Sequence, residues 1–518
     1  MKAPRALIAA FLLLAAICAA SAPSALGGGH AVGGRGAFGV RPAIPAPAAE
    51  RVLRHAERLS AGAPGARGDM TLALLRVVHA YDSLDAVARH RADVLFARPS
   101  NPHDPEGSAW SAPEAAASPS CTPQFCVHWV ARGRDAPSLR DSNGRADGDG
   151  VPDYVELTER VMTHVFAVEN GRLGWRGPLS DGRKGGSHGT TDVYLADVGT
   201  SLFGYAAPDR GQQRRGQIKR SLFGYLVLDD DYKRSQFPGT KPADDLKVTA
   251  AHEYNHILQF SYDAFQDVWM AESTAVWMED HVYDGINDYL RYMRRWTVRT
   301  RVPLTASSIK IYGSAVWNHW LERHYGAKTI RTAWARGKHL RAAGFSVASY
   351  GSAIRSAGPS DFERDFARFA RDVAEWRTDR VFREGHRFPD AQRLGVLRPG
   401  AVPKLRRLGH TTFQMLRVPT SGGKALSLRA SSPRGVAAGL ALVGRIGSAR
   451  HGRPVSSLSF RRRGGRLAVR LAHPGRFQRI TAILINADTA QHGFSGQTLD
   501  WRYLHDHARF RVGARLSG

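Results

Sequence analysis

Residues 251–260 read AHEYNHILQF, which places two histidines four positions apart with a glutamate directly after the first. On an α-helix, His252 and His256 lie one turn apart on the same face, so both imidazoles can reach one ion. Glu253 lies about 100° round the helix, where it can act on a water at that ion without ligating the ion. So short a string also arises by chance, and its meaning depends on the sequence around it.

The surrounding sequence predicts a strand followed by two helices. GYLVLDDDY (224–232) has the composition of a strand, and Asp244 and Asp245 are typical of the start of a helix. The next segment, 267–283, predicts a second helix that carries Glu272, sixteen residues after His256. Two imidazoles and one carboxylate leave a fourth position open, as in catalytic zinc sites. The alternative carboxylates for the third position are Asp263, Asp267 and Glu279.

The net charge of +27 is distributed unevenly along the chain. Residues 141–290 hold 15 Lys or Arg against 24 Asp or Glu, and 248–290 contain no Lys or Arg, which suits a divalent cation. Residues 401–518 hold 21 Lys or Arg against 3 Asp. This basic region predicts contact with anionic cell-envelope polymers, or simply a solvated basic surface. It lacks an aromatic-basic recognition motif, so we expect no specific nucleic-acid partner.

The N-terminus has the pattern of a secretory signal. Lys2 and Arg5 precede an apolar run over 6–20 and a series of small residues, so we expect a secreted protein. No later run of 18 apolar residues occurs, which predicts no transmembrane segment in the mature chain. In an oxidising compartment, Cys121 and Cys126 are expected to form one disulfide across a short loop.

The segments HEYNH, WMAESTAVWMED and IYGSAVWNHWLERHYG together resemble the gluzincin clan of zinc metallopeptidases, the thermolysin-like group. More narrowly, the chain resembles secreted bacterial metalloproteases in which H-E-x-x-H is followed by a W-x-x-E helix. The resemblance extends over roughly residues 120–345 and implies that His252, His256 and Glu272 are zinc ligands and that Glu253 is the general base. It also suggests Tyr312 as a donor to the oxyanion, although an aromatic on an apolar helix is more often a core residue.

A metzincin is excluded by the residues that follow the second histidine. That family would need a glycine at 259 and a third histidine at 262, where this chain has Gln259 and Tyr262.

The expected fold class is α+β, a thermolysin-like zinc metallopeptidase domain with an H-E-x-x-H helix, followed by a C-terminal all-β sandwich. Helical spacing is clear over 49–61 and 72–96, and over 360–376, where Ser360 and Glu363 have the pattern of a capping box. After Pro389, short alternating runs predict the sandwich. The expected domains are a signal peptide at 1–25, a helical pro-segment or N-terminal extension with linkers at 26–118, the metallopeptidase domain at 119–390, and the basic β-sandwich at 400–518.

The function expected from these features is hydrolysis of peptide bonds in a protein or peptide substrate. An extended substrate is expected to pair with the edge of the strand at FGYLVL, 223–228. The alternatives are a zinc amidase that acts on cell-wall peptides, and a non-catalytic envelope-binding protein with a structural metal site. Glu253 argues against the last, since a structural site needs no base.

A second ion is suggested by DSNGRADGDGVPDYVE, 141–156. Asp147, Asp149, Asp153 and Glu156 fall at ligand positions of a twelve-residue calcium loop. The first position of that loop is Arg145, which cannot coordinate calcium. The alternative is an acidic turn that caps the helix after it.

Overall fold

The computed structural model describes residues 44–99, 110–138, 148–185, 189, 191–209, 220–306, 310–337, 346–419, 422–489 and 507–518. Contacts divide the chain into two compact units, residues 1–264 and 265–518. In the described parts of the chain, no helix combines the length and the apolar character needed to cross a membrane.

The described part of the first unit starts with three α-helices, α1 (Ala46–Ser60), α2 (Met70–Ala80) and α3 (Ala86–Leu95). The continuous helical pattern over 72–96 is therefore two helices. Asp85 accepts a hydrogen bond from the backbone of Ala88 at 2.8 Å and caps the start of α3. Asp69 caps α2 in the same way, accepting from Leu72 at 2.9 Å.

A five-stranded mixed sheet forms the centre of this unit. Its strands are β1 (Ser120–Cys121), β2 (Phe125–His128), β3 (Thr191–Ala196), β4 (Gly204–Pro208) and β5 (Gly224–Asp229), in the order β1-β2-β3-β5-β4. The strands β2, β3 and β5 are parallel, and β4 pairs antiparallel with β5 at the edge. The predicted disulfide between Cys121 and Cys126 is confirmed. The expectation of an edge at FGYLVL is wrong, because β4 covers β5 and is itself the edge.

The described part of the unit also contains the helices α4 (Asp153–Phe166) and α5 (Pro242–Asp263). Proline in the first turn and the acidic Asp244 and Asp245 favour the start of α5, as predicted. All residues from 248 to 263 are buried, so α5 is a central helix rather than a surface one. It lies close to the sheet at Gly204, where a Cβ would come within 2.9 Å of the Thr249 methyl group.

The second unit begins with helices. They are α6 (Val268–Val282), α7 (Leu290–Thr297), α8 (Lys310–Gly313), α9 (Ala315–Tyr325), α10 (Lys328–Gly337), α11 (Ser346–Ala357) and α12 (Phe362–Val373). The predicted capping box at α12 is wrong. The cap is Asp361, which accepts from the backbone of Arg364 at 3.0 Å, while Ser360 donates to Asp365 at 2.6 Å. The predicted apolar stripe of α12 is buried.

Eight strands follow among the described residues, in two antiparallel four-stranded sheets that form the expected sandwich. They are β6 (Lys404–Leu408), β7 (Thr412–Arg417), β8 (Ala425–Ser432), β9 (Ala438–Ile446), β10 (Arg453–Arg461), β11 (Gly465–Ala472), β12 (Arg479–Asn486) and β13 (Ala508–Ser517). The orders are β10-β9-β12-β7 and β11-β8-β13-β6. The inward side chains of the two sheets share one hydrophobic core, as expected from the alternating sequence pattern.

Candidate metal centre

The histidine pair lies on α5 and the candidate third ligand lies on α6. Ligand atoms of His252, His256 and Glu272 all lie within 4.8 Å of one another, and all three residues are buried. The one-turn spacing of the histidines brings their Nε2 atoms to 3.1 Å, with the two rings edge to face. This buried group can bind a metal ion.

The donor set fits a zinc ion. A tetrahedral ion at the usual zinc–nitrogen distance separates two imidazole nitrogens by about 3.3 Å, close to the spacing found here. Two nitrogens and one carboxylate oxygen are also the ligand types that zinc shares with several other transition metals.

The orientation of His256 is set by its second nitrogen. The Gln259 side-chain oxygen can only accept, so Nδ1–H of His256 donates to it at 3.0 Å and Nε2 is left unprotonated and able to bind an ion. The Gln259 amide donates in turn to Asn255 at 2.8 Å, and the Asn255 amide donates to Glu169 at 2.9 Å. Burial raises the pKa of Glu169 well above its ordinary value, while the bond from Asn255 opposes that rise.

Two of the rival carboxylates have other partners. Asp263 forms an ion pair with Arg220, and Asp267 accepts from the Ser346 backbone at 2.9 Å and from its hydroxyl at 2.5 Å. Among the described residues, neither aspartate nor Glu279 belongs to a group whose ligand atoms are close enough to hold an ion. Glu272 is therefore the carboxylate that the structure brings to the histidines.

Glu253, the candidate base, is contacted by a residue far away in the sequence. The hydroxyl of Thr71, 182 positions earlier, donates to Oε2 of Glu253 at 3.0 Å. A carboxylate oxygen of Asp69 also lies within 4.8 Å of ligand atoms of His252 and Glu253. Sequence reasoning missed both contacts, because no local pattern relates α2 to α5. Gln259 could have been found, since it lies three residues after His256 on the same helical face.

Tyr312 lies on α8 and is half-buried. Its ring stacks on that of Tyr292, with the centroids 5.3 Å apart. Its predicted role as an oxyanion donor stays a prediction.

The structure describes three of the four predicted calcium ligands. Asp147 lies outside the described residues. Asp149 is exposed and accepts from the backbone of Val151 at 2.8 Å, Asp153 is the first residue of α4, and Glu156 lies 3.5 Å from Arg160. Calcium at this loop stays a prediction.

A separate acidic group lies at the C-terminal end of β5. Asp229, Asp230 and Asp231 offer oxygens within 4.8 Å of one another. Burial raises the pKa of Asp229 to about 7 and that of Asp230 to about 8, and the neighbouring carboxylates add to both rises. Lys233 lies 3.6 Å from Asp231 and offsets part of this charge.

Comparison with known proteins adds no family to this description. The chain matches no protein-family model, and no curated protein sequence matches it significantly.

Proposed function

We propose that this chain is a secreted zinc metallopeptidase of the thermolysin-like, gluzincin type. The observation that carries the proposal is the buried group of His252, His256 and Glu272, with Glu253 directly after the first ligand. A purely structural zinc site would have no use for a glutamate at that position. The signal-like pattern at residues 1–25 supports export.

Zinc, when bound, supplies Lewis acidity that acidifies a water and polarises a substrate carbonyl. His252, His256 and Glu272 would hold it, and Gln259 keeps His256 in the tautomer that presents Nε2. Glu253 takes the proton of the attacking water and returns it to the leaving nitrogen. Tyr312 is the proposed hydrogen-bond donor to the carbonyl oxygen as negative charge develops on it.

The substrate proposed is an extended peptide paired with β4. This strand is the antiparallel edge of the sheet, so β-augmentation would take place on its outer side, where the N–H of Ala206 donates to Thr71 in this structure. Such pairing recognises the main chain and demands little of the substrate sequence.

The sandwich offers a surface for anionic polymers of the cell envelope. The outward face of the sheet β11-β8-β13-β6 carries exposed arginines and, by the strand alternation, no acidic residue. They are Arg407, Arg429, Arg466, Arg470, Arg509, Arg511 and Arg515. We propose that this arginine face, defined by those seven residues, retains the protein near its substrate.

The test of the proposed function compares two buried glutamates of α6. Glu272→Ala should lose zinc at low free zinc and lose hydrolysis of casein and of mixed fluorogenic peptides, because two imidazoles alone hold zinc weakly. Glu279→Ala removes a carboxylate of similar burial and should keep most of both.

Full zinc occupancy in Glu272→Ala would show that another group is the third ligand. A parent protein that binds zinc but cleaves neither proteins nor peptides would show that the chain is not a peptidase. Release of amino groups from purified cell wall by that protein would establish the amidase instead.

A further inference from the structure

Three consecutive carboxylates meet at the C-terminal end of β5. Asp229 is fully buried, Asp230 is 2% exposed, and Asp231 is half-buried. Consecutive side chains of an extended strand point to opposite faces, so the three would be held apart if β5 continued. The strand ends at Asp229, and one oxygen of each residue lies within 4.8 Å of the others. The end of the strand therefore concentrates negative charge in a mostly buried place.

A turn stabilised by Asp229 brings the carboxylates together. Oδ1 of Asp229 accepts from the backbone N–H groups of Asp231 at 3.2 Å and of Tyr232 at 2.6 Å. Tyr232 lies in the left-handed region with φ 44°, and its hydroxyl donates to the backbone oxygen of Phe203 at 2.7 Å. Oδ2 of Asp229 is buried and has no hydrogen-bond partner in the described part of the chain. One oxygen of this carboxylate thus stabilises the turn, and the other is left for a ligand.

The side chain of Asp230 has no protein partner for its buried oxygen. Among the residues that the structure describes, none forms a hydrogen bond with Oδ1 of Asp230. Burying an ionised carboxylate in this way is unfavourable unless a proton or a cation compensates the charge. Burial, together with the neighbouring Asp229, raises the pKa of Asp230 to about 8, so the protein alone stabilises the charge poorly. Asp230 therefore indicates either a bound proton or a bound cation.

The charges and donor atoms around the group favour a divalent cation over a proton. Lys233 lies 3.6 Å from Asp231, and the next carboxylate, Asp197, lies 3.7 Å from Arg134. Three carboxylates and one ammonium leave a formal net charge of −2, which a divalent cation neutralises and a single proton does not. The donors are all oxygens, which suit hard cations such as calcium and magnesium, whereas the histidine pair suits zinc.

We propose that Asp229, Asp230 and Asp231 form a second cation site, which binds one hard divalent cation through carboxylate oxygens. Calcium is the expected ion, because it accepts irregular ligand geometry, whereas magnesium requires a nearly ideal octahedron that three consecutive residues do not readily provide. The cation binds the oxygens of Asp229 and Asp230 that have no other partner, and it stabilises the turn from β5 into the segment that leads to α5. The site does not depend on the proposed peptidase activity.

The test titrates calcium into the full-length, zinc-saturated protein in calcium-free buffer. Isothermal titration calorimetry should show a site with a Kd of about 10⁻⁴ M, and 10 mM calcium should raise Tm by about 5 °C. Magnesium should bind about tenfold more weakly or less. In Asp230→Asn the calcium affinity should fall at least tenfold and the rise in Tm should disappear. Without calcium, the Tm of this variant should equal or exceed that of the parent, because a buried, poorly compensated charge is removed.

Two matched controls separate cation binding from a general effect on stability. Asp280→Asn alters another buried aspartate, whose Oδ1 also has no hydrogen-bond partner among the described residues and whose pKa burial also raises to about 8. Asp280 belongs to none of the close groups of ligand atoms in that part of the chain, so calcium affinity should not change. Lys233→Gln removes the charge that competes with the cation at Asp231 and should tighten calcium binding several-fold. Lys241→Gln, at an exposed lysine 3.7 Å from Asp244, should not.

Three results would overturn the second cation site. The first is a parent protein that binds neither calcium nor magnesium. The second is an Asp230→Asn variant that binds calcium as the parent does, while Asp149→Asn loses it, which would place the ion in the loop at 141–156. The third is a Tm gain in Asp230→Asn that is the same with and without calcium, which would show that the carboxylates share a proton. None of these measurements uses hydrolysis, so a failure of the proposed peptidase would be seen separately.

Discussion

Gln259 accepts a hydrogen bond from Nδ1–H of His256 at 3.0 Å, one helical turn further along α5. The side-chain amide of Gln259 donates to Asn255 at 2.8 Å, and this second hydrogen bond keeps the Gln259 side-chain oxygen directed at His256. Metal-binding histidines usually donate this proton to a carboxylate, a backbone oxygen or water, and a neutral amide is a weaker partner. The contact fixes the ring of His256 without adding charge to a buried site.

Gln259→Leu tests this relationship. Zinc affinity should fall by about 10- to 100-fold, the usual cost of losing such an outer partner, because the His256 ring loses its fixed orientation. Chelator competition measures the change. Gln414→Leu, which removes another buried glutamine that donates to the Leu394 backbone oxygen at 2.9 Å, should leave zinc affinity unchanged. Equal zinc affinity in the parent and in Gln259→Leu would remove Gln259 from the metal centre.

Glu253→Gln should keep zinc and lose hydrolysis. The amide has nearly the same shape but cannot take a proton, so we expect kcat to fall by roughly 10²- to 10⁴-fold with little change in zinc content. Steady-state kinetics on a fluorogenic peptide, together with metal analysis of the same sample, provide the check. A variant with kcat within a few-fold of the parent would show that another group transfers the proton.

The burial of Lys310 should make the stability of the protein depend on pH. The Lys310 side chain is buried, with Nζ donating to the Val302 backbone oxygen at 2.6 Å, and burial lowers the pKa to about 7 from 10.5. Between these two values the unfolded chain binds more protons at this group than the folded chain does, so the stability contributed by this group rises with pH across that window. Below about pH 7 the cost of burying the charge is fully present.

Lys310→Met should therefore raise Tm most at about pH 6, by roughly 3 °C or more, and the gain should shrink toward pH 10. Differential scanning calorimetry over this range measures it. Lys328→Met, at an exposed lysine that also begins a helix, should show no such trend. A Tm difference for Lys310→Met that is constant with pH would mean that Lys310 does not titrate between about 7 and 10.5.

The arginine face predicts a localised and salt-sensitive interaction. The triple variant Arg429→Ser, Arg470→Ser, Arg511→Ser should elute from an immobilised anionic polymer at lower salt than the parent, because the three side chains point out of one sheet. The control removes the same charge from exposed positions of the other sheet, as Arg417→Ser, Arg453→Ser, Arg461→Ser. Equal loss of retention in the two triple variants would show that only net charge matters.

Much of the fold could be predicted from local patterns. The helical spacing of α12, the strand composition of β5 and the alternation of the C-terminal strands can each be read within a single element. The ends of helices are harder to predict, because alternative capping residues differ little in the free energy they contribute. At α12, the capping residue is Asp361, one position after the predicted cap Ser360.

The same distinction between local pattern and tertiary packing applies to the candidate site. By itself, the sequence determined the histidine pair, the glutamate between them and the disulfide, since each depends on residues within one helix or one short loop. The tertiary structure decided which carboxylate joins the histidines, that β4 and not β5 is the sheet edge, and that Thr71 lies on Glu253. Those relationships depend on how elements pack after folding, and residues 182 positions apart share no local spacing that could record them.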